Sequence, residues 1–119
     1  MKEEHQSLNK SIGKKLRELA NIAYERELSN HLSKLRDEFD AWGSGKISSS
    51  ELSDRIRKFH NGPARNVYLV HSDSKADWVV ARGLNMGLIA ENEVPVDVRN
   101  CIARTIETFR MIGEIDSTG

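Results

Sequence analysis

The run from His60 to Arg65 is the segment whose residue types could most directly do chemistry. If a tight turn presents His60, Asn61 and Arg65 together, these side chains could hold a carboxylate or a phosphate near the start of the next helix. A structural interpretation stands beside this one. His60 suits the negative end of a helix dipole, Asn61-Gly62 supplies a C-cap, and Pro63 begins the following helix. We therefore treat the three polar residues as candidate ligand or partner contacts.

A nucleophilic site is the next chemistry to consider, because Cys101 is the single cysteine and could act together with His60 and Asn61. The helical pattern around Cys101, between Val98 and Ile102, instead predicts a small buried apolar side chain. No residue near it in the sequence would activate the thiol or stabilise an oxyanion. The four histidines lack the paired spacing of a zinc site. We expect no enzymatic activity, no cofactor and no bound metal.

The segment from Asp40 to Glu51 resembles the calcium loop of an EF-hand in outline, with an acid at each end and Gly45 at its centre. Calcium needs several oxygen ligands, yet the third loop position is Trp42, which offers none. Two charged ligands are too few for useful affinity. The sequence therefore predicts a helix-loop-helix without a calcium site.

Positive charge is concentrated in the middle of a chain whose net charge is zero. Residues 41–66 hold five basic side chains and two acidic ones. Arg55 and Lys58 share one helix face, with Arg65 following after the turn. This basic patch could contact nucleic acid or an acidic protein, or it could be a solvated face. Zero net charge argues against a general polyanion binder, so nucleic-acid binding is the alternative rather than the leading hypothesis.

Helices must position these residues, because the apolar side chains recur at helix spacing. We predict an all-α fold, a small bundle of four to five helices with a long N-terminal helix. A chain of 119 residues forms one domain, residues 1–119, and we expect flexible ends near residues 1–9 and 114–119. The segment Ala64–His71 has strand-like composition but no partner strand, so we predict a helix there.

Helix ends are marked by local signals. The first helix is predicted to end at Gly43-Ser44-Gly45, because glycine adopts the left-handed conformation of a C-cap at little cost. Ser48, with Glu51 three residues later, predicts the N-cap of the second helix. Gly87 should end a helix that begins at Ala76. A final helix opens at Asn92 or at Val94-Pro95 and carries Val98, Ile102, Ile106 and Phe109 on one face.

The long first helix carries two apolar stripes, separated by a step of five residues between Ala23 and Leu28. The early stripe is Ile12, Leu16, Leu19 and Ala23, and the later stripe is Leu28, Leu32, Leu35, Phe39 and Trp42. The later stripe is larger and adjoins the well-capped second helix, so we expect it in the core of the monomer. The early stripe is then the candidate face of a homodimer around a two-fold axis.

A series of short motifs runs through residues 42–98: Trp42, Gly45-x-Ile47-Ser48, Glu51-Leu52, Phe59-His60-x-Gly62 and Ala64-Arg65, followed by Gly87-x-Ile89 and Val94-Pro95. This pattern resembles a group of small uncharacterised bacterial proteins. The resemblance implies a bacterial origin and no particular activity.

The longest apolar runs are far too short to span a membrane, and a single cysteine is typical of a reducing cytoplasm. We therefore expect a cytoplasmic, non-enzymatic helical interaction or accessory module that binds another protein or itself. One alternative is a helix-turn-helix-like protein that binds nucleic acid through Arg55, Lys58 and Arg65. The other is a small-ligand or enzyme site around His60, Asn61 and Arg65.

Overall fold

The computed structural model describes the backbone of residues 2–118 and the side chains of residues 10–112. In chain order its helical segments are α1 (Lys2–Gly43), α2 (Ser49–Phe59), a π-helical turn (His60–Ala64), α3 (Arg65–Asp73), α4 (Ala76–Met86), a 3-10 turn (Glu91–Glu93), α5 (Val96–Cys101) and α6 (Ala103–Thr118). No strand occurs over residues 2–118, which confirms the all-α prediction and the long first helix. The flexible ends that we predicted lie outside the residues whose side chains are described. Within the described part of the chain, no helix has the length and apolarity needed to cross a membrane.

The chain groups into two compact units, and α1 contributes residues to both. We call Met1–Ala23 together with Ser74–Gly119 the core unit, and Tyr24–Asp73 the hairpin unit. This grouping leaves the single-domain prediction untested, because compact units within one chain need not fold independently.

The core unit is built around the early stripe of α1. Leu16, Leu19 and Ala23 are buried in one apolar cluster with residues from α4, from α5 and from the segment between them, namely Val79, Val80, Ile89, Val94 and Val98, and with Ile102. Gly83 on α4 allows the close approach, since a Cβ atom there would lie 3.0 Å from Ile89 Cδ1 and 3.4 Å from Ala23 Cβ. Apolar burial of this kind is the main stabilising contribution to a fold of this size.

The hairpin unit consists of the second part of α1 and the segment that runs back along it, which is α2, the π-helical turn and α3. The antiparallel course follows from three contacts of growing sequence separation. Trp42 Nε1 donates to Ser49 Oγ at 3.0 Å, Arg55 pairs with Glu38, and His71 Nε2 lies 2.9 Å from Glu27 Oε1 (these three pairs are 7, 17 and 44 residues apart). A two-helix layer therefore runs the length of this unit.

The turn of the hairpin uses the local signals that the sequence shows. Gly45 has a φ of 80°, the left-handed conformation expected after a helix end, and the Lys46 N–H donates to Ala41 O at 2.8 Å. Ser48 is the N-cap of α2, and its Oγ accepts a 3.1 Å hydrogen bond from the Glu51 N–H. Both predicted helix ends are confirmed.

The run His60–Ala64 departs from the prediction of a helix break. It forms a π-helical turn that joins α2 to α3 without a non-helical residue, so Asn61-Gly62 is not a C-cap. Pro63 explains the change, because it has no N–H to give to the carbonyl of Phe59 in the α-helical pattern. In a π turn a carbonyl accepts from the N–H five residues later, so the donor moves one residue beyond Pro63. The helix can then continue without the missing N–H. The segment after it is helical as predicted, in α3.

The last predicted helix is also altered. Instead of one helix, α5 ends at Cys101 and α6 begins at Ala103, with Ile102 between them at φ −105° and ψ 11°. Neither Gly nor Pro marks this break in the sequence. Ile102 is 1% exposed, so the break coincides with a core side chain. Gly87, by contrast, caps α4 in the left-handed conformation as predicted.

Candidate functional site

The early stripe is not a surface, and the dimer face predicted on it is wrong. Leu16, Leu19 and Ala23 are 8%, 6% and 0% exposed, and Ile12 packs against the same cluster half-buried. The physical reason is that α4, α5 and the segment between them cover this side of α1 within the monomer. Leu16, Leu19 and Ala23 therefore offer no apolar face to a second copy.

The later stripe, predicted to be core, is the more exposed of the two. Leu32, Phe39 and Trp42 are 46%, 42% and 46% exposed, and Leu28 and Leu35 are half-buried. On α2, Ile56 is 38% exposed. The early stripe is thus the more buried of the two, which is the reverse of the predicted order of burial.

The two sides of the hairpin differ in chemistry. Glu38 and Arg55 pair with each other on one side. Phe39 directly follows Glu38 in the sequence, and Ile56 directly follows Arg55. Successive residues of a helix are rotated by about 100° around its axis. Because the two helices are antiparallel and of the same hand, both steps turn in the same sense relative to the helix pair, so Phe39 and Ile56 lie on one common side, about a quarter turn from the ion pair. On α1, Leu28 and Leu32 lie within about 20° of Phe39 around the helix axis. We call Leu28, Leu32, Phe39 and Ile56 the apolar flank.

The side that carries the Glu38–Arg55 pair contains a groove of about 260 Å³. Its lining, which we call the basic groove, is His31, Lys34, Leu35, Glu38, Arg55, Lys58, Phe59 and Pro63. Three of these side chains are cationic and one is acidic, and Arg55 is engaged by Glu38. Lys34 and Lys58 make no ion pair with any described residue, so they provide the unneutralised charge of the groove.

The structure separates the sequence-predicted site residues. Arg55 and Lys58 come together at the basic groove, whereas Arg65 is exposed on α3 and is not part of the groove lining. His60 and Asn61 are exposed on the π-helical turn, also outside that lining. From the predicted turn, only Pro63 reaches the groove. Lys34 was missed, because it lies on a different helix from the basic run on which the prediction was based.

A buried polar contact in the hairpin unit was also missed. The side chains of Glu27 and His71 are both 7% exposed, and the Tyr24 and His71 rings pack in a T-shaped arrangement with centroids 5.1 Å apart. The step of five in the apolar pattern was the available signal. Glu27 stands four residues after Ala23, at the position where an apolar side chain would have continued the early stripe. Glu27 and His71 tie α1 to α3, and neither lines the basic groove.

Among the described side chains, no three His, Cys, Asp or Glu residues converge as metal ligands would. The EF-hand outline is interrupted because α1 continues to Gly43, through the first four positions of the loop. Comparison with known protein families, with curated proteins and with solved structures finds no match for this chain. The basic groove and the apolar flank are therefore the two surfaces from which a function can be argued.

Proposed function

We propose that this protein is a non-enzymatic helical interaction module that pairs with a second copy through the apolar flank. The observation that carries the proposal is the exposure of large apolar side chains on both helices of the hairpin. Leu32 and Phe39 on α1 and Ile56 on α2 are 46%, 42% and 38% exposed. Large apolar side chains exposed together are typical of interaction sites.

The layering of the hairpin unit supports a partner on this side. Among its described apolar residues only Leu52 and Val67 are buried, at 6% and 4% exposure. A single layer of two helices buries one face of each, and stable helical folds cover a second face with another layer. Two hairpins paired across their flanks would form a four-helix bundle.

A second copy suits the flank because the flank complements itself. Its defining residues are all apolar, so a two-fold axis brings apolar side chains against apolar side chains. On α1 the flank extends for about 17 Å from Leu28 to Phe39, and the two helices are about 20 Å across, from the helix rise and the usual helix spacing. That area, roughly 340 Å² in projection on each copy, is below the ~600 Å² per partner of standard specific interfaces. We therefore expect a weak dimer, with a micromolar dissociation constant.

Sedimentation velocity over a range of protein concentrations tests the proposal. The unaltered chain should pass from monomer to dimer, whereas Leu32→Glu with Phe39→Glu should stay monomeric with an unchanged helical circular dichroism spectrum. The matched control is Asn30→Glu with Ser33→Glu, because these exposed positions lie on another side of α1. A parent chain that is monomeric at millimolar concentration would rule out self-association. If the control variant were also monomeric, the interface would not be specific to the flank.

A further inference from the structure

We infer that the basic groove binds an acidic amphipathic helix of another protein. The inference rests on one part of the proposed function, that the protein is an interaction module, and does not require that the protein dimerises. The groove and the flank have no residue in common, so one copy can use both.

The shape of the groove argues for a helix. Its lining recurs at helix spacing, at residues 31, 34, 35 and 38 on α1 and at residues 55, 58 and 59 on α2. From residue 31 to residue 38 the wall extends for about two turns, roughly 10 Å. A groove that runs along two antiparallel helices is the surface into which a third helix packs. It is open to solvent along this length, and its volume is below the ~300 Å³ at which enclosed small-molecule pockets begin.

The floor of the groove supplies the apolar contact that such a helix needs. Leu35 from α1, Phe59 from α2 and Pro63 are half-buried at its base. Pro63 belongs to the π-helical turn, and widened turns of this type occur frequently at functional sites. A partner helix would place one apolar stripe on these three side chains.

The charges on the two walls specify the rest of the partner. Lys34 stands on the α1 wall and Lys58 on the α2 wall, and both are exposed and without an ion pair among the described residues. Arg55 adds a third cation that is already held by Glu38. A helix with Glu or Asp on each side of its apolar stripe would meet a lysine on both walls. A basic helix would meet like charge on both.

Fluorescence anisotropy with designed peptides provides the test. The probe is a labelled helical peptide with Leu at helix spacing and Glu at the flanking positions. Its matched counterpart has Lys in place of every Glu. We expect the full chain to bind the Glu peptide about tenfold more tightly than the Lys peptide, the effect of two or three partly exposed charge pairs. A Glu peptide with Ser in place of every Leu has the same charge but no apolar stripe. It should bind more weakly than the original Glu peptide.

Charge reversal in the protein locates the site. Lys34→Glu with Lys58→Glu should weaken binding of the Glu peptide by about tenfold or more and reverse the preference towards the Lys peptide. Lys46→Glu with Arg57→Glu is the matched control, because it makes the same charge change in the hairpin unit outside the groove lining. The control should keep the preference of the parent.

Three results would overturn the inference: no binding of either peptide, equal affinity for both, or loss of preference in the control variant. Competition by single-stranded DNA as strong as that by the Glu peptide, lost in the same groove variant, would also overturn it in favour of a general polyanion site. The monomeric variant Leu32→Glu with Phe39→Glu should still bind the Glu peptide. This last measurement separates failure of the groove proposal from failure of the dimer.

Discussion

The two parts of α1 carry apolar stripes of similar spacing, but one stripe is buried and the other is partly exposed. In the core unit the early stripe is buried, with Ala23 fully covered, whereas in the hairpin unit Leu32 and Phe39 of the later stripe are almost half exposed. The later stripe is the longer and contains the aromatic residues. Helical periodicity therefore indicates that a face is apolar, but the length and size of the stripe do not indicate what covers it.

The covering segments explain the difference. The early stripe meets two helices and a connecting segment rich in branched apolar side chains, among them Val79, Val80 and Ile89. The later stripe runs beside α2, which presents Arg55 and Lys58 at the groove, and Leu32 and Phe39 stay exposed. The placement of the segments that pack against a stripe, rather than the stripe itself, decides which stripe is buried.

The largest expected effect is a contrast between matched substitutions in the two stripes. Leu19→Glu should abolish cooperative folding, because it places a charge in a close-packed cluster, where even Leu→Ala costs about 2–5 kcal/mol. Leu32→Glu should change the free energy of unfolding of the monomer by about 0.5 kcal/mol or less, as is usual for exposed positions. Urea denaturation followed by circular dichroism measures both. Equal losses of stability would mean that the later stripe is part of the monomer core after all.

Local signals were sufficient for the end of α1 and the start of α2. The hydroxyl of Ser48 and the glycine at position 45 act within a few residues of themselves, so the sequence predicts their roles directly. The π-helical turn was not predicted, because glycine and proline in His60–Ala64 are typical of a break. The helices on both sides of Pro63, α2 and α3, contact α1, and these tertiary contacts favour a wider helical turn over a loop.

The candidate surfaces could be predicted only in part, because each combines residues from distant segments. Arg55 and Lys58 were found from their spacing on one helix, but Lys34 joins them only through the antiparallel fold. Glu27 left a visible gap in the apolar pattern, yet its partner His71 is 44 residues away. Pairings of this kind depend on tertiary contacts that no local pattern encodes.

A smaller effect should distinguish the stabilities of the two units. Ser48→Ala removes the side chain that accepts the Glu51 N–H, which should cost the hairpin unit about 0.5–2 kcal/mol. Because this unit buries few apolar side chains, we expect the loss to appear as local opening. Amide hydrogen exchange should accelerate in α2 and remain unchanged in α4. Equal acceleration in both helices would show instead that the two units unfold together.

The smallest expected effect concerns the core unit and depends on pH. Lys15 Nζ lies 3.0 Å from Asp97 Oδ2 and lowers the pKa of that carboxyl below its ordinary value of 3.8, helped by the Val98 N–H, which donates to Oδ1 at 2.9 Å. A carboxyl whose pKa is lower in the folded state stabilises the fold above its unfolded pKa, and this contribution is lost as pH falls through the folded value. Asp97→Asn should therefore lower the Tm slightly at neutral pH, and the difference from the parent should shrink below about pH 4, the ordinary aspartate value. If the Asp97→Asn difference stays constant down to low pH, the contact with Lys15 does not favour the charged carboxyl, and its contribution to joining α1 to α5 is one of packing alone.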